Sequence, residues 1–191
     1  MNNWKQNILT MKNDLESLSV RDCNMKEVHN DKAFEIWVDY TCTIKDNRKS
    51  VYLVGNGASA SMASHMAADL GKNGGVSTEV FTDMSLITAI ANDISYDEVF
   101  AEPLKRKMVE GDMLVAISSS GNSPNVVKAC SAAKALKGIV ITISALRNDN
   151  KIRQMGDLNF YVPCTTYGMA ESCHAAILHF WIDKMLDRIK T

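Results

Sequence analysis

The chain has 191 residues, of which 46% are hydrophobic and 23% are charged, and its formal net charge is −1. This length favours one domain built on one core, and the near-zero charge offers no basic surface to nucleic acid or to an acidic membrane. Because the five cysteines form no CxxC pair, no apolar run reaches membrane-spanning length and the N-terminus lacks the apolar block of a signal peptide, we expect a single cytoplasmic domain that contacts neither membrane nor nucleic acid.

Two helices are predicted at the N-terminus, before any strand. Apolar residues recur at helical spacing over residues 3–20, and a second such pattern covers residues 25–44. Neither segment gathers side chains that suggest chemistry. Their large aromatic residues, such as Trp4 and Trp37, fit two arrangements, packing on the chain's own sheet or packing on a partner subunit.

Five short apolar runs then alternate with helical patterns. These runs are rich in β-branched residues and cover residues 50–54, 78–81, 113–117, 138–144 and 158–162. A long helix is predicted over residues 169–189. Strands that alternate with helices predict an α/β fold, a three-layer αβα sandwich around a mostly parallel sheet of about five strands, preceded by the N-terminal helices.

The third apolar run leads into a polar loop, called the serine loop below. It consists of Ser118, Ser119, Ser120, Gly121, Asn122 and Ser123. A helical pattern starts at Pro124, so a phosphate in this loop would meet hydroxyl groups, a close glycine backbone and the free amides of a helix N-terminus. Ser and Asn also cap helices in turns that bind nothing, so the loop's own residues leave phosphate binding and plain capping open.

A second polar loop, rich in glycine and called the glycine loop below, follows the first apolar run at residues 55–59. In an open parallel sheet both loops lie at the carboxyl ends of strands, which is where such folds bind ligands. The sequence contains neither the dinucleotide fingerprint at this loop nor a GxxxxGK[ST] loop, which leaves nucleotide binding without support.

Ionisable residues repeat at helical spacing in two places. His65 and Asp69 lie four residues apart, so they project from one helix face and can hold a divalent metal ion or form a simple surface pair. In the last helix, Glu171 and His179 lie eight residues apart and can reach one ion only with extended side chains, whereas His174 lies on a different face.

Four motifs of the sequence are familiar together from one protein family. In chain order they are GNGASASMASHMAADL, ANDxxxDEVF, SSSGNSPNVVKA and ESCHAAILHF. With them the chain resembles the sugar isomerase (SIS) domain, whose fold is flavodoxin-like, and within that group the phosphoheptose isomerases, which act on sedoheptulose 7-phosphate. The similarity covers essentially the whole chain, so it implies a single SIS domain over residues 1–191, with residues 1–46 as N-terminal helices used in oligomer packing.

The resemblance implies roles for both polar loops. The serine loop would hold the sugar phosphate, while the glycine loop, an Asn-Asp turn and the last helix would contact the sugar. The residues at these positions are Ser118, Ser119, Ser120 and Ser123 for the phosphate, and Asn56, Ser59, Asp93 and Glu171 for the sugar.

The resemblance also implies a zinc site. Zinc-binding relatives use a His and a Glu four residues apart and a Gln and a His eight residues apart, which places His65, Asp69, Glu171 and His179 at the ligand positions. Asp stands here for Glu and Glu for Gln, and an acidic residue that some relatives carry shortly before the Gln has no counterpart. The shorter Asp69 side chain requires a closer substrate or a shifted helix, and the charge of Glu171 would hold a divalent ion more strongly while weakening its Lewis acidity.

An aldose–ketose isomerisation needs a carboxylate base near the carbons and an acid near the oxygens. We predict that Asp69 is the base and that His179 moves protons on the oxygens, while a metal on His65, Glu171 and their neighbours polarises the carbonyl; the sequence leaves open whether Asp69 acts as base or as metal ligand. The resemblance also implies a homotetramer with sites at subunit contacts, and a product used for nucleotide-activated heptose and surface polysaccharide. Two alternatives stay open: a non-catalytic SIS protein that senses a phosphosugar or binds a partner protein, and an isomerase of another sugar phosphate.

Overall fold

The computed structural model describes residues 3–190. Over these residues the chain forms seven strands, seven α-helices and two short 3₁₀ turns. In chain order the elements are α1 (Trp4–Glu16), β1 (Ser19–Asp22), β2 (Glu27–Val28), α2 (Asn30–Asp46), β3 (Ser50–Gly55), α3 (Ala58–Gly74), β4 (Ser77–Val80), α4 (Met84–Asp93), the 3₁₀ turn Tyr96–Glu98, α5 (Ala101–Lys107), β5 (Met113–Ser118), α6 (Pro124–Ala135), β6 (Ile139–Ser144), the 3₁₀ turn Ile152–Gln154, β7 (Leu158–Tyr161) and α7 (Tyr167–Lys190).

The strands form one sheet in the order β2-β1-β7-β6-β5-β3-β4. The strands from β7 to β4 run parallel, and near their carboxyl ends Gly55 pairs with Ile117 and Ser118 pairs with Ser144. Every residue of β5 is buried, which explains why this strand is a continuous apolar run and not an alternating one. These five parallel strands correspond to the five predicted apolar runs.

Helices cover both faces of the sheet. Successive residues of β5 point to opposite faces, so Val115 packs in an apolar cluster with α2, α3 and α7, while Leu114 packs in a second cluster with α5 and α6. The predicted class, an α/β fold around a mostly parallel sheet, is confirmed. Because the sheet is parallel, the loops that leave β3 and β5 meet at the same edge.

The sequence analysis missed an antiparallel hairpin, so its count of about five strands is too low. β1 pairs with β2 on one side and with β7 on the other, antiparallel in both cases. Val20 of β1 is fully buried, and the Asp22 carboxylate accepts hydrogen bonds from two backbone amides of the turn that follows. The predicted helices over residues 3–20 and 25–44 are both too long, because the hairpin occupies the end of one and the start of the other.

The two leading helices pack differently. On α2 the buried Trp37 ring stacks on the Trp181 ring of α7, with the ring centroids 4.2 Å apart. In contrast, α1 buries none of its residues, and Trp4 is 76% exposed. Packing on the chain's own sheet is therefore the arrangement of α2, while the use of these helices in an oligomer stays a prediction. Within residues 3–190, none of the helices combines the length and the apolarity that a membrane crossing needs.

Candidate active site

The serine loop follows β5 directly and turns into α6. Its Gly121 has φ +62°, and the Gly121 amide donates hydrogen bonds to the Ser118 carbonyl oxygen at 2.9 Å and to Ser118 Oγ at 3.2 Å. Ser118 Oγ lies 3.3 Å from Ser123 Oγ and 3.5 Å from Ser120 Oγ, so three hydroxyl groups converge. Ser123 is the N-cap residue of α6, but its side chain makes no capping hydrogen bond. The converging hydroxyls therefore favour ligand binding over plain capping.

A cavity of about 120 Å³ lies against this loop. It is lined by Asn56, Ser59, Ile117, Ser118, Ser119, Ser120, Ser123, Tyr167 and Glu171. Seven of these residues are predicted site residues, and they come from three separate parts of the chain. Tyr167 was missed by the sequence analysis, because it stands at the first position of α7 and no motif includes it.

The glycine loop is fixed to the serine loop's helix by a pair of amides. Asn56 Nδ2 donates to Asn125 Oδ1, and Asn125 Nδ2 donates to Asn56 Oδ1, both at 2.9 Å. The Tyr96 hydroxyl also donates to Asn56 Oδ1, at 3.2 Å. These bonds hold Asn56 at the cavity edge with both of its side-chain groups engaged. Neither Asn125 nor Tyr96 was predicted, since their partner is 69 and 40 residues away in sequence.

Three of the four predicted metal ligands come together between α3 and α7. The nearest ligand atoms of His65, Asp69 and His179 all lie within 4.8 Å of one another. His65 Nε2 is 3.5 Å from Asp69 Oδ2, and the two imidazole rings have centroids 5.3 Å apart. We call these three residues the ionisable cluster. Glu171, the fourth predicted ligand, is not a member of this cluster and lines the serine-loop cavity instead.

Asp93, predicted in a turn that contacts the sugar, is the last residue of α4. Its carboxylate accepts a hydrogen bond from the Asn92 side chain at 2.9 Å. It lines a different cavity, which it shares with Pro103 and Arg106 of α5. Within one chain the structure therefore places Asp93 apart from the serine-loop cavity.

His174 lies on the buried side of α7, whereas His179 is exposed, as their predicted faces require. Its ring is 0% exposed, and neither ring nitrogen has a hydrogen-bond partner among residues 3–190. Burial lowers the pKa of His174 to about 4, because an imidazolium would lose its hydration there. His174 is therefore a neutral histidine between the two parts of the site.

Comparison with known proteins points to one family. The SIS domain family matches residues 25–145. A phosphoheptose isomerase of Helicobacter pylori is 35% identical over 144 residues, which are 72% of this chain and 74% of that protein. The structure of a phosphoheptose isomerase from Neisseria gonorrhoeae has a TM-score of 0.76 and 31% identity, over 81% of this chain and 86% of that one. A second structure, from Francisella tularensis, covers 97% of this chain and 94% of that chain with a TM-score of 0.77 but 21% identity, so it supports the fold alone. The chain belongs to the SIS domain family and, within it, to the phosphoheptose isomerases.

Proposed function

We propose that the protein is an aldose–ketose isomerase that converts sedoheptulose 7-phosphate into a heptose 7-phosphate. The observation that carries the proposal is the pairing of two sets of groups on α3 and α7. The N-terminal parts of both helices line the serine-loop cavity, and their later turns carry His65, Asp69 and His179. One set suits a phosphate, and the other suits proton transfer at a sugar.

The serine loop is the proposed phosphate site. A phosphomonoester brings negative charge and several acceptor oxygens, which hydroxyl groups and the amides at the start of α6 can meet. The cavity lining contains no Lys or Arg, so the loop would bind phosphate through hydrogen bonds and the helix dipole. Such contacts are made equally in the ground state and the transition state, and they act on KM more than on kcat.

The ionisable cluster is the proposed reaction centre. Asp69 removes the proton from C1 of the ketose, which gives an enediol, and returns it to C2 of the aldose. His179 moves the hydroxyl proton from O1 to O2, so that every proton is accounted for. A carboxylate has two oxygens, so Asp69 can contact His65 through Oδ2 and still offer an oxygen to the substrate.

The ionisable cluster also fits a zinc ion. Two imidazoles and one carboxylate with ligand atoms within 4.8 Å form a donor set that zinc accepts while keeping an open position. His65, Asp69 and His179 would hold the ion, which when bound would stabilise negative charge on the sugar oxygens. One ligand atom from each residue would suffice, which leaves the second Asp69 oxygen and the second His179 nitrogen for proton transfer. We assign Glu171 to the substrate end, because its side chain lines the serine-loop cavity.

The two sets of groups are well separated within one chain. Ser59 precedes His65 by six residues and Glu171 precedes His179 by eight, which is roughly 9 Å and 12 Å along the helix axes. We propose that a homotetramer completes each site with groups of a neighbouring subunit, and that the exposed Trp4 face of α1 is covered in it. Light scattering should give the mass of four chains.

Mixed oligomers test the shared site. Ser119→Asp places a negative charge in the serine loop, and Asp69→Asn removes the base, so each variant alone should be inactive. Co-expression of the two should restore activity, because some sites then combine an intact loop with an intact base. A tetramer without restored activity would mean that each site lies within one chain.

The direct test is turnover. The purified protein is incubated with sedoheptulose 7-phosphate, with added zinc or with a chelator, and the aldose product is followed. We expect conversion that the chelator lowers and zinc restores. Binding without conversion would indicate a non-catalytic phosphosugar sensor, and faster conversion of a pentose phosphate run alongside would change the substrate. An aldoheptose phosphate made in the cytoplasm would supply nucleotide-activated heptose for surface polysaccharide.

A further inference from the structure

The serine loop contacts a segment of the chain that has no part in the proposed reaction. Residues 146–152, here called the supporting segment, contact the loop at Gly121 and Asn122. The Lys151 amide donates to Asn122 Oδ1 and the Ile152 amide donates to the Gly121 carbonyl oxygen, both at 3.1 Å. A Cβ atom on Gly121 would lie 2.0 Å from Asn150 Oδ1, so the loop and the supporting segment are in direct contact. A shift of this segment would therefore move the serine loop.

Arg153 holds the supporting segment in place. Its guanidinium group donates through Nη1 to the Asn148 carbonyl oxygen and through Nη2 to Ser19 Oγ of β1, both at 2.7 Å. The same group lies 4.1 Å from the centroid of the Tyr161 ring, and the Tyr161 hydroxyl donates to the Leu146 carbonyl oxygen at 3.4 Å. Both halves of the segment are thus tied to one side chain.

Burial of the Arg153 side chain opposes folding, which indicates that this residue has a functional role. The side chain is 4% exposed, and its Nε has no hydrogen-bond partner among residues 3–190. Within the same range no carboxylate lies at salt-bridge distance from it; the Glu27 carboxylate acts on it from farther away and accepts a hydrogen bond from the same Ser19 hydroxyl at 3.0 Å. Burying a charge whose countercharge lies beyond salt-bridge distance opposes folding. The segment also contains Leu146 at φ +58°, a conformation that a leucine rarely adopts and that the surroundings must impose.

We propose that Arg153 is a positioning residue that sets the serine loop for phosphate binding by fixing the supporting segment to β1. The proposal rests on the proposed function for its ligand, the phosphate group. It also gives a role to the hairpin of β1 and β2, since Ser19 is the far anchor of the contact. A residue that only stabilised the fold would leave the affinity of folded protein for phosphate unchanged.

The test compares four variants. Arg153→Gln removes the guanidinium group with its two donating nitrogens, whereas Arg153→Lys keeps a positive charge and one donor nitrogen. Ser19→Ala removes the acceptor on β1, at a half-exposed position where folding should tolerate the change. The matched control is Arg147→Gln, because Arg147 lies in the same segment and its side chain pairs, among residues 3–190, only with Asp149 at the exposed surface. Inorganic phosphate affinity by calorimetry, KM and kcat for sedoheptulose 7-phosphate, and hydrogen exchange at the serine-loop amides are measured on each.

We expect Arg153→Gln to weaken phosphate binding and to raise KM by about fivefold with kcat unchanged. A change of this size corresponds to the free energy of about one hydrogen bond, which is what a displaced loop would lose with the phosphate. Arg153→Lys should fall between this variant and the wild type, Ser19→Ala should show a smaller change in the same direction, and Arg147→Gln should show none. The amides of Gly121 and Asn122 should exchange faster in the first three.

Unchanged phosphate affinity and exchange in folded Arg153→Gln would overturn the proposal, as would a lower kcat at constant KM. Should Arg153→Gln not fold, Ser19→Ala decides by the same two readouts. Failure of the proposed function is separate: the wild type would then not convert the sugar. In that case faster exchange in Ser19→Ala than in Arg147→Gln still supports the positioning role, and equal exchange overturns it.

Discussion

The serine loop and the ionisable cluster differ in how deeply their side chains are buried and in how firmly they are held. Ser118 and Ser119 are 5% and 6% exposed; the Ser118 hydroxyl accepts a hydrogen bond from the Gly121 amide, and the Ser119 carbonyl oxygen accepts one from the Ala145 amide. The side chains of His65 and Asp69 are 56% and 31% exposed, and they reach out from a helix on rotatable bonds. We therefore expect the loop to be the more rigid of the two and the cluster to adjust its geometry to a bound ligand. Changes in the loop should act on affinity, and changes in the cluster should act on rate.

The strongest test of this division is Asp69→Asn. Loss of the base should lower kcat by about 10³-fold, within the range for general acid–base catalysis, while inorganic phosphate binds as in the wild type. Steady-state kinetics and calorimetry measure the two effects. Asp183→Asn, an exposed carboxylate on α7, is the matched control and should keep full activity. Near-normal turnover of Asp69→Asn would show that Asp69 is not the base.

Gly121→Ala tests the rigidity of the loop. The new Cβ would lie 2.0 Å from Asn150 Oδ1 on a backbone with φ +62°, so the loop must move. We expect a loss of about 2 kcal/mol of unfolding free energy and phosphate binding that is about tenfold weaker. Gly168→Ala is the control, because a Cβ there meets no atom within 4 Å. Denaturant unfolding and calorimetry compare the two; equal behaviour would mean that the loop adapts easily.

The parts that could be predicted from the sequence are those coded by neighbours in the chain. β5 is a continuous apolar run because both of its faces are covered, and the serines follow it without a gap. Two such strand–loop units in a parallel sheet must meet at one edge, so the gathering of Asn56 with the serine loop could be foreseen. The fold class and the serine-loop part of the site follow from this repeated order of strand, polar loop and helix along the sequence.

The parts that could not be predicted depend on contacts between distant residues. The strand β1 exists because β7 offers an edge to pair with, a partner more than 130 residues later. Arg153 looks like a surface charge in sequence, and only the approach of Ser19 shows that it is buried. Glu171 was predicted both to contact the sugar and to bind the metal ion, and helical spacing alone could not tell that it lines the serine-loop cavity and stands outside the ionisable cluster.

α7 joins the two halves, and His174 makes its stability depend on pH. The pKa of His174 is lowered to about 4 in the folded protein against an ordinary value near 6.5, so the unfolded chain binds the proton more readily. Stability is therefore full above pH 6.5 and falls as the pH drops toward 4. Between pH 7 and pH 5 the unfolding free energy should fall by about 2 kcal/mol through this residue.

Denaturant unfolding at both pH values measures this effect. His174→Leu should lose the dependence, since the group that distinguishes the two states is gone. His29→Gln, at an exposed position, should keep it. A variant His174→Leu with the wild-type dependence would assign the effect to other groups.

The smallest expected effect separates the loop from the cluster most clearly. In the proposed phosphate site several donors share the phosphate, so the loss of one leaves the others in position. Ser120→Ala should raise KM by about fivefold and leave kcat unchanged, because the loss of one hydrogen bond among several that share the phosphate costs about 1 kcal/mol. Ser131→Ala, on the exposed side of α6, is the control and should change neither constant. If single changes at all four loop serines left KM unchanged, the phosphate would not bind there. A fall in kcat would mean that the serine loop takes part in the chemistry, and the division of labour between the two halves would no longer hold.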